Sequence, residues 1–241
     1  MSVPPDTNPY ELEKPIALPD LPGQVIVRDL DHDVIGALAA DLLVHAHNCV
    51  RAFGDFHLCV TGDASIEPVL LRLLTDPAHR DLPWRRTQLW LFSERLGDKS
   101  EFGLIRETLA IHADLPSEQT HAIDTSLDDA ADRHERELQE TLAWREKGHD
   151  RIDYVLLTPA SIPPDWAQDG EGDALVQEYA DRVACTRRLI NASRFISVFA
   201  VGESAQGDIA GAVARTHGLA SIEPVGGALR WYLDVDACAK T

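Results

Sequence analysis

The segment Val60-Thr61-Gly62-Asp63-Ala64-Ser65-Ile66-Glu67-Pro68-Val69-Leu70 joins an apolar run to a helical pattern. A loop that ends a strand and opens a helix presents backbone N–H groups and the positive end of a helix dipole, so it can cradle a phosphate. Thr61, Gly62 and Ser65 suit that role, whereas Asp63 sets a like charge beside the expected anion. At ~4 Å such a carboxylate opposes a phosphate by ~1–4 kcal/mol, depending on the effective dielectric. Thr61, Gly62, Asp63 and Ser65 are the loop's candidate phosphate-binding residues.

Other constellations are poorer. His45 and His47 sit two apart on a predicted helix and point in different directions, which argues against a shared metal. Asp132, His134 and Glu135 read as the solvated face of a charged helix, and His149-Asp150 as a helix-end cap. Cys59, between Leu58 and Val60, reads as a buried thiol rather than a nucleophile. There is no G-x-S-x-G elbow, Walker loop or Rossmann fingerprint. No catalytic residue, metal ligand or cofactor is assigned.

These residues need a scaffold, and the pattern supplies one. Apolar strand runs at Gln24–Arg28, Phe56–Val60, Thr87–Phe92, Ile152–Leu157, Phe195–Val201 and Leu229–Leu233 alternate with helical stretches. The helices span a region starting at Asp31 or Asp33 as cap, then Glu67–Leu74, Phe102–His112, Leu127–Lys147 and Ala205–Thr216. Strands alternating with helices imply β-α-β units and a three-layer α/β fold on a mostly parallel sheet. Residues 1–23 carry six prolines and read as an extended arm; residues 24–241 read as one domain.

The 241 residues are 44% hydrophobic and 26% charged, as in an ordinary globular protein. Asp and Glu number 40 against 22 Lys and Arg, a formal charge of −18 that disfavours nucleic acid and anionic membrane surfaces. Cys49, Cys59, Cys185 and Cys238 form no C-x-x-C pair, and the acidic, Pro-rich start lacks the features of a secretory signal. A cytoplasmic location is the expectation.

The order of these segments resembles the 6-phosphogluconolactonases, within the superfamily that includes glucosamine-6-phosphate deaminases. Val60 to Leu70 looks like the family's phosphate loop, roughly L-S-G-G-S-T-P-K-x-L-Y, and Ser93-Glu94-Arg95 like its D-E-R strand end. Ser100-Glu101-Phe102 is similar to its S-N-Y helix start, and Pro116 to Ile123, with His121 at the family's His, to its P-x-x-x-x-H-R-I segment. Asp181 to Thr186 followed by Asn191-Ala192-Ser193-Arg194 is similar to its H-R-[IV]-T-L-T and N-A-A-R segments. Gly227, Leu229, Trp231, Leu233 and Asp234 match its closing G-x-L-x-W-x-L-D. The resemblance covers about Val25 to Ala237 and implies a doubly wound sheet of the ribose-phosphate isomerase/CoA-transferase type. The same resemblance implies that Arg95, which has Glu94 as a neighbouring ion-pair partner, and Arg182 join Thr61, Gly62, Asp63 and Ser65 as the candidate phosphate- or sugar-phosphate-binding set.

It also implies a hydrolase that opens a phosphorylated sugar lactone with water, using a His in G-M-G-x-D-G-H-T as general base. Here the equivalent run is Thr158-Pro159-Ala160-Ser161-Ile162-Pro163-Pro164, which sets Pro164 at the His. Ser93 stands at the family's Asp and Ala205 at its Lys, so three chemical roles lack their side chains. The expectation is a divergent lactonase-like protein with lost or reduced hydrolysis. The alternatives are an active lactonase and a non-catalytic paralogue that binds a sugar phosphate, a phosphate or sulfate ion, a protein partner or a second copy of itself.

Overall fold

The computed structural model describes residues 18–97, 101–168 and 172–238. Most of the predicted arm lies outside them. Five strands fall within a residue or two of the sequence reading: β1 Gln24–Arg28, β2 Phe56–Val60, β3 Thr87–Leu91, β9 Phe195–Ala200 and β10 Ala228–Asp234. A sixth, β6, is shorter, at Tyr154–Leu157. With the two-residue strand β5, Thr120–His121, they form a seven-stranded parallel sheet in the order β1-β10-β9-β6-β2-β3-β5. β2 and β6 are buried along their whole length, as expected of strands covered on both faces.

Helices α1 (Asp31–Phe53) and α2 (Glu67–Thr75) cover one face. With them lies α3 (Glu101–Ile105), which continues as a π-helical turn over Arg106–Ala110 where one regular helix was predicted. Val34, Leu38, Leu42, Ala46 and Cys49 of α1 pack here with Phe56, Leu58, Ile66 and Leu109. The cap of α1 departs from expectation. Leu30 occupies that position with no side-chain bond, and Asp31 and Asp33 lie inside the first turn, where the helix dipole favours their charge.

The opposite face is covered by α4 (Ala130–Leu142), α5 (Arg187–Ala192) and α6 (Gln206–Val213). A second, antiparallel sheet joins that layer: β4 (Ser93–Arg95), β8 (Arg182–Cys185) and β7 (Val176–Glu178), in the order β4-β8-β7. This sheet was absent from the sequence reading, because strands of three or four residues carry no readable alternation. Its register sets Arg95 opposite Arg182, which makes a pair of two cations distant in sequence. The chain runs from β2 toward β3 on one side and from β6 toward β9 and β10 on the other. The crevice beyond the C-terminal ends of β2 and β6 is thus a topological switch point, where open α/β sheets bind ligands.

The Asp132, His134 and Glu135 face is not simply solvated. Asp132 is exposed, but His134 is buried edge-on to Trp90, with ring centroids 5.6 Å apart, and Glu135 accepts the Leu175 N–H at 2.7 Å. His134, Leu138 and Leu142 follow one another at helical spacing on the inward side of α4, so the helix turns this His to the core. His121 serves to hold structure in place. It bonds Glu137 at 2.6 Å and Gln88 at 2.8 Å and stacks on Trp90.

Candidate site at the switch point

Val60 ends β2 and delivers Thr61, Gly62 and Asp63 into the crevice before a 3₁₀ turn over Ala64–Ile66 opens α2. Thr158 to Ser161 leave β6 directly opposite. The Asp63 carboxylate bridges the two loops. It accepts from the Ser65 N–H at 3.0 Å and the Ser161 hydroxyl at 2.7 Å, and also from the Ser65 and Thr158 hydroxyls. Thr61 in turn bonds Thr158 at 2.9 Å between buried hydroxyls. Burial by itself would raise the Asp63 carboxyl, but the donors Ser161, Ser65 and Thr158 outweigh it and hold it below the usual carboxylate range. The predicted like charge is therefore present, ionised and saturated with the donors a phosphate would need.

Gly62 serves packing rather than access. A Cβ at this position would lie 2.5 Å from Glu101 Cβ and 2.6 Å from the Glu101 carbonyl oxygen, so only a bare backbone lets the loop meet the start of α3. Glu94 fills the end of that helix, accepting from the Glu101 N–H at 2.6 Å and the Phe102 N–H at 2.9 Å. The helix terminus is thus already occupied by a carboxylate of this chain.

Both predicted cations reach the same place, and both are engaged. Arg182 is buried; it donates to the Ser161 carbonyl at 2.9 Å and pairs with Asp181 at 3.0 Å and Glu101 at 3.5 Å. Burial works against its charge, but Asp181, Glu101 and Asp63 more than restore it, and its affinity for the proton rises. Arg95 pairs with Glu101 at 3.5 Å, not with the Glu94 side chain that its sequence position suggested; Glu94 instead accepts the Arg95 backbone N–H at 3.2 Å. Ser93 donates to the second Glu101 oxygen at 3.0 Å. Burial raises the Glu101 carboxyl, and the nearby Glu94 and Asp63 charges add to this, against the pull of Arg182 and Ser93.

The predicted residues Thr61, Gly62, Asp63, Ser65, Arg95 and Arg182 are thus brought together, but as a closed network. The sequence reading missed Thr158, Ser161 and Glu101, the groups that close it. A helix-start acid gives no sign of its partners in sequence, and two hydroxyls after an apolar strand give only a weak one. Beside the network lies a cavity of about 160 Å³, walled by Ser65, Pro159, Ala205 and Asp208 among others. Asp208 is the ionisable residue on that wall, with His217 3.7 Å behind it. Pro164, on the same β6 loop, is exposed.

A sequence profile described as glucosamine-6-phosphate isomerases/6-phosphogluconolactonase matches residues 30–229. The chain belongs to this family. It is 28% identical to the human GDH/6PGL endoplasmic bifunctional protein over 88% of its own length, and it spans 30% of that relative. The rabbit counterpart is 27% identical, with 28% of its length covered. Among solved structures, a 6-phosphogluconolactonase from Thermotoga maritima is 20% identical with a TM-score of 0.70, covering 88% of this chain and all of the other. One from Trypanosoma cruzi is 16% identical with a TM-score of 0.73, covering 90% and 96%. At these identities the structural likeness bears on the fold, and it matches the three-layer, mostly parallel architecture expected from sequence. No helix of the described residues is long and apolar enough to cross a membrane.

Proposed function

We propose that this chain is a lactonase-family protein of carbohydrate metabolism that has given up hydrolysis of phosphorylated sugar lactones at the family's rate. The observation that carries the reading is the Asp63 carboxylate seated in the phosphate cradle, bonded to Ser65, Thr158 and Ser161. A sugar phosphate arriving there meets an anion with its donors already committed, and the arginines that would answer it are neutralised by Glu101 and Asp181. The resemblance adds that Pro164, Ser93 and Ala205 stand at the family's base, Asp and Lys. Proline has no group to take a proton from water, and Asp208 on the cavity wall would repel an anionic substrate. Residues 24–241 would act as one domain. The free, buried Cys49, Cys59, Cys185 and Cys238 suit a reducing, cytoplasmic setting.

The test is direct. Purified protein is expected to leave the hydrolysis of 6-phosphogluconolactone at its spontaneous rate, since a missing general base alone removes about 10²–10⁴-fold. Turnover of ~1–10³ s⁻¹ would overturn the reading and point to Asp208 with His217 as an unforeseen base.

A further inference from the structure

The opposite end of the sheet carries the reverse arrangement of charge. A groove of about 460 Å³ lies at the N-terminal end of β9, between the last turns of α1 and the loop before β10. Asn48 and Phe53 of α1, Arg151 ahead of β6, Arg194 ahead of β9 and the turn Gly226-Gly227 line it. Arg194 is fixed in place. Its Nε donates to Asp153 at 3.1 Å, its guanidinium lies 4.3 Å over the Phe53 ring, and its Nη2 is 2.9 Å from His149 Nδ1. Arg151 is different. Its Nη1 makes one long contact of 3.4 Å to the Ala192 carbonyl, its Nε is buried without a hydrogen-bond partner, and no carboxylate of the described residues lies within ion-pair distance.

The nearby acids are spoken for. Asp153 is buried and shared between Arg145 and Arg194, and Asp55 is held by Arg145 and His57. Asp150 accepts the Gly148 N–H at 2.7 Å. Burial, and after it the adjacent Arg194 charge, lower the Arg151 proton affinity against the opposing pull of Asp153 and Asp150. The far wall is kept low by its glycines. A Cβ on Gly227 would fall 2.2 Å from the Ser193 carbonyl oxygen, and Gly226 holds a φ of +77° with open space around it. On a chain of net charge −18, a groove walled by two guanidinium groups is a local departure from the surrounding field.

We propose that this groove is a binding site for a small oxyanion-bearing molecule, a phosphate or a carboxylate, gripped by Arg151 and Arg194 with its apolar part against Phe53. A guanidinium fork matches either oxyanion, and Arg151 lines the groove beside Arg194 with no carboxylate of the described residues paired to it. The site lies across the sheet from the switch-point crevice and stands independently of whether that crevice hydrolyses a lactone.

Calorimetric titration of the wild-type protein at low salt, with inorganic phosphate and separately with malonate, tests the assignment. Binding of at least one probe at millimolar strength or better is expected, and which binds more tightly tells phosphate from carboxylate. Arg151→Gln should weaken that binding at least ten-fold, and Asn48→Asp, which adds a charge on the exposed α1 wall without touching the buried network, at least three-fold. Arg95→Gln, in the crevice, should leave it within two-fold. Absence of binding for both probes overturns the proposal. So does equal binding by wild type, Arg151→Gln and Asn48→Asp, or a loss that follows Arg95→Gln instead.

Discussion

The two ends of the parallel sheet handle arginine in opposite ways. Beyond the C-terminal ends of β2 and β6, Arg95 and Arg182 meet Glu101 and Asp181, and Asp63 occupies the remaining donors. At the N-terminal ends, Arg145 is paired with Asp55 and Asp153 while Arg151 has no ion-pair partner among the described residues. Arginine at a ligand-bearing position is therefore no evidence of a ligand; what matters is whether the protein has already supplied the counter-charge. By that standard the crevice the fold favours is closed, and the less conventional end is open.

The sharpest way to break the comparison is to remove the structural arginine. Arg145 is buried, bonds Asp153 at 2.8 and 3.0 Å and also engages Asp55. Arg145→Ala takes one partner from each of two carboxylates, leaving Asp153 to Arg194 and Asp55 to His57, and should lower stability by roughly 3–5 kcal/mol in urea unfolding, as for other broken buried pairs. Arg151→Gln, a few residues on, should change it by less than about 1 kcal/mol, since it breaks no ion pair. If the two substitutions cost the same, the division between structural and ligand-facing arginines fails.

Asp63 sharpens the crevice side. Asp63→Ala leaves the Ser161 and Thr158 hydroxyls without their acceptor and should destabilise by about 1–3 kcal/mol. The effect should depend on pH. A carboxyl held below its unfolded value stabilises the native state above the ordinary carboxylate range, and this contribution is lost as pH falls through the folded value. Wild type and Asp63→Ala should therefore converge in melting temperature on acidification below about pH 4; parallel curves would contradict the assigned network. Asp63→Gly should also let the loop bind phosphate, because it removes the charge and frees the donors. Placed on an Arg151→Gln background, so that the groove at the other end does not contribute, it should bind phosphate more tightly than Arg151→Gln alone, read by calorimetry at low salt.

Glu101 should give the smallest change. Its carboxyl is raised by burial, so its charged form is disfavoured in the fold and ionisation above that raised value works against stability. Glu101→Gln is expected to fall within about 1 kcal/mol of wild type at neutral pH while releasing Arg95 and Arg182. A large loss would mean that the pairs to these arginines are worth more than the desolvation they require.

The sequence made the fold legible where periodicity was long or continuous. The five-residue all-buried run of β2 was readable to the residue. β4, β7 and β8 were not, because a three- or four-residue strand is defined by its neighbour and carries little pattern of its own. The same limit applied to the site. Thr61, Asp63, Arg95 and Arg182 were legible as chemistry, and the β4–β8 register does bring the arginines together. Glu101 and Ser161 were invisible as partners, since the contacts that define them close only in three dimensions. His134 was misread because a polar residue on a charged helix was counted with its neighbours instead of with Leu138 and Leu142.

One consequence of the Asp63 bridge concerns competition. A carboxylate fixed to the loop it occupies is a ligand that cannot be diluted, because its local concentration at the cradle is set by geometry. Even a flexible short tether holds a group at an effective concentration in the ~mM range, and Asp63 sits on a turn bonded at both ends. Under the proposed reading, a free oxyanion would have to displace this tethered carboxylate from the same donors, so the crevice carries a competitor built into its own chain.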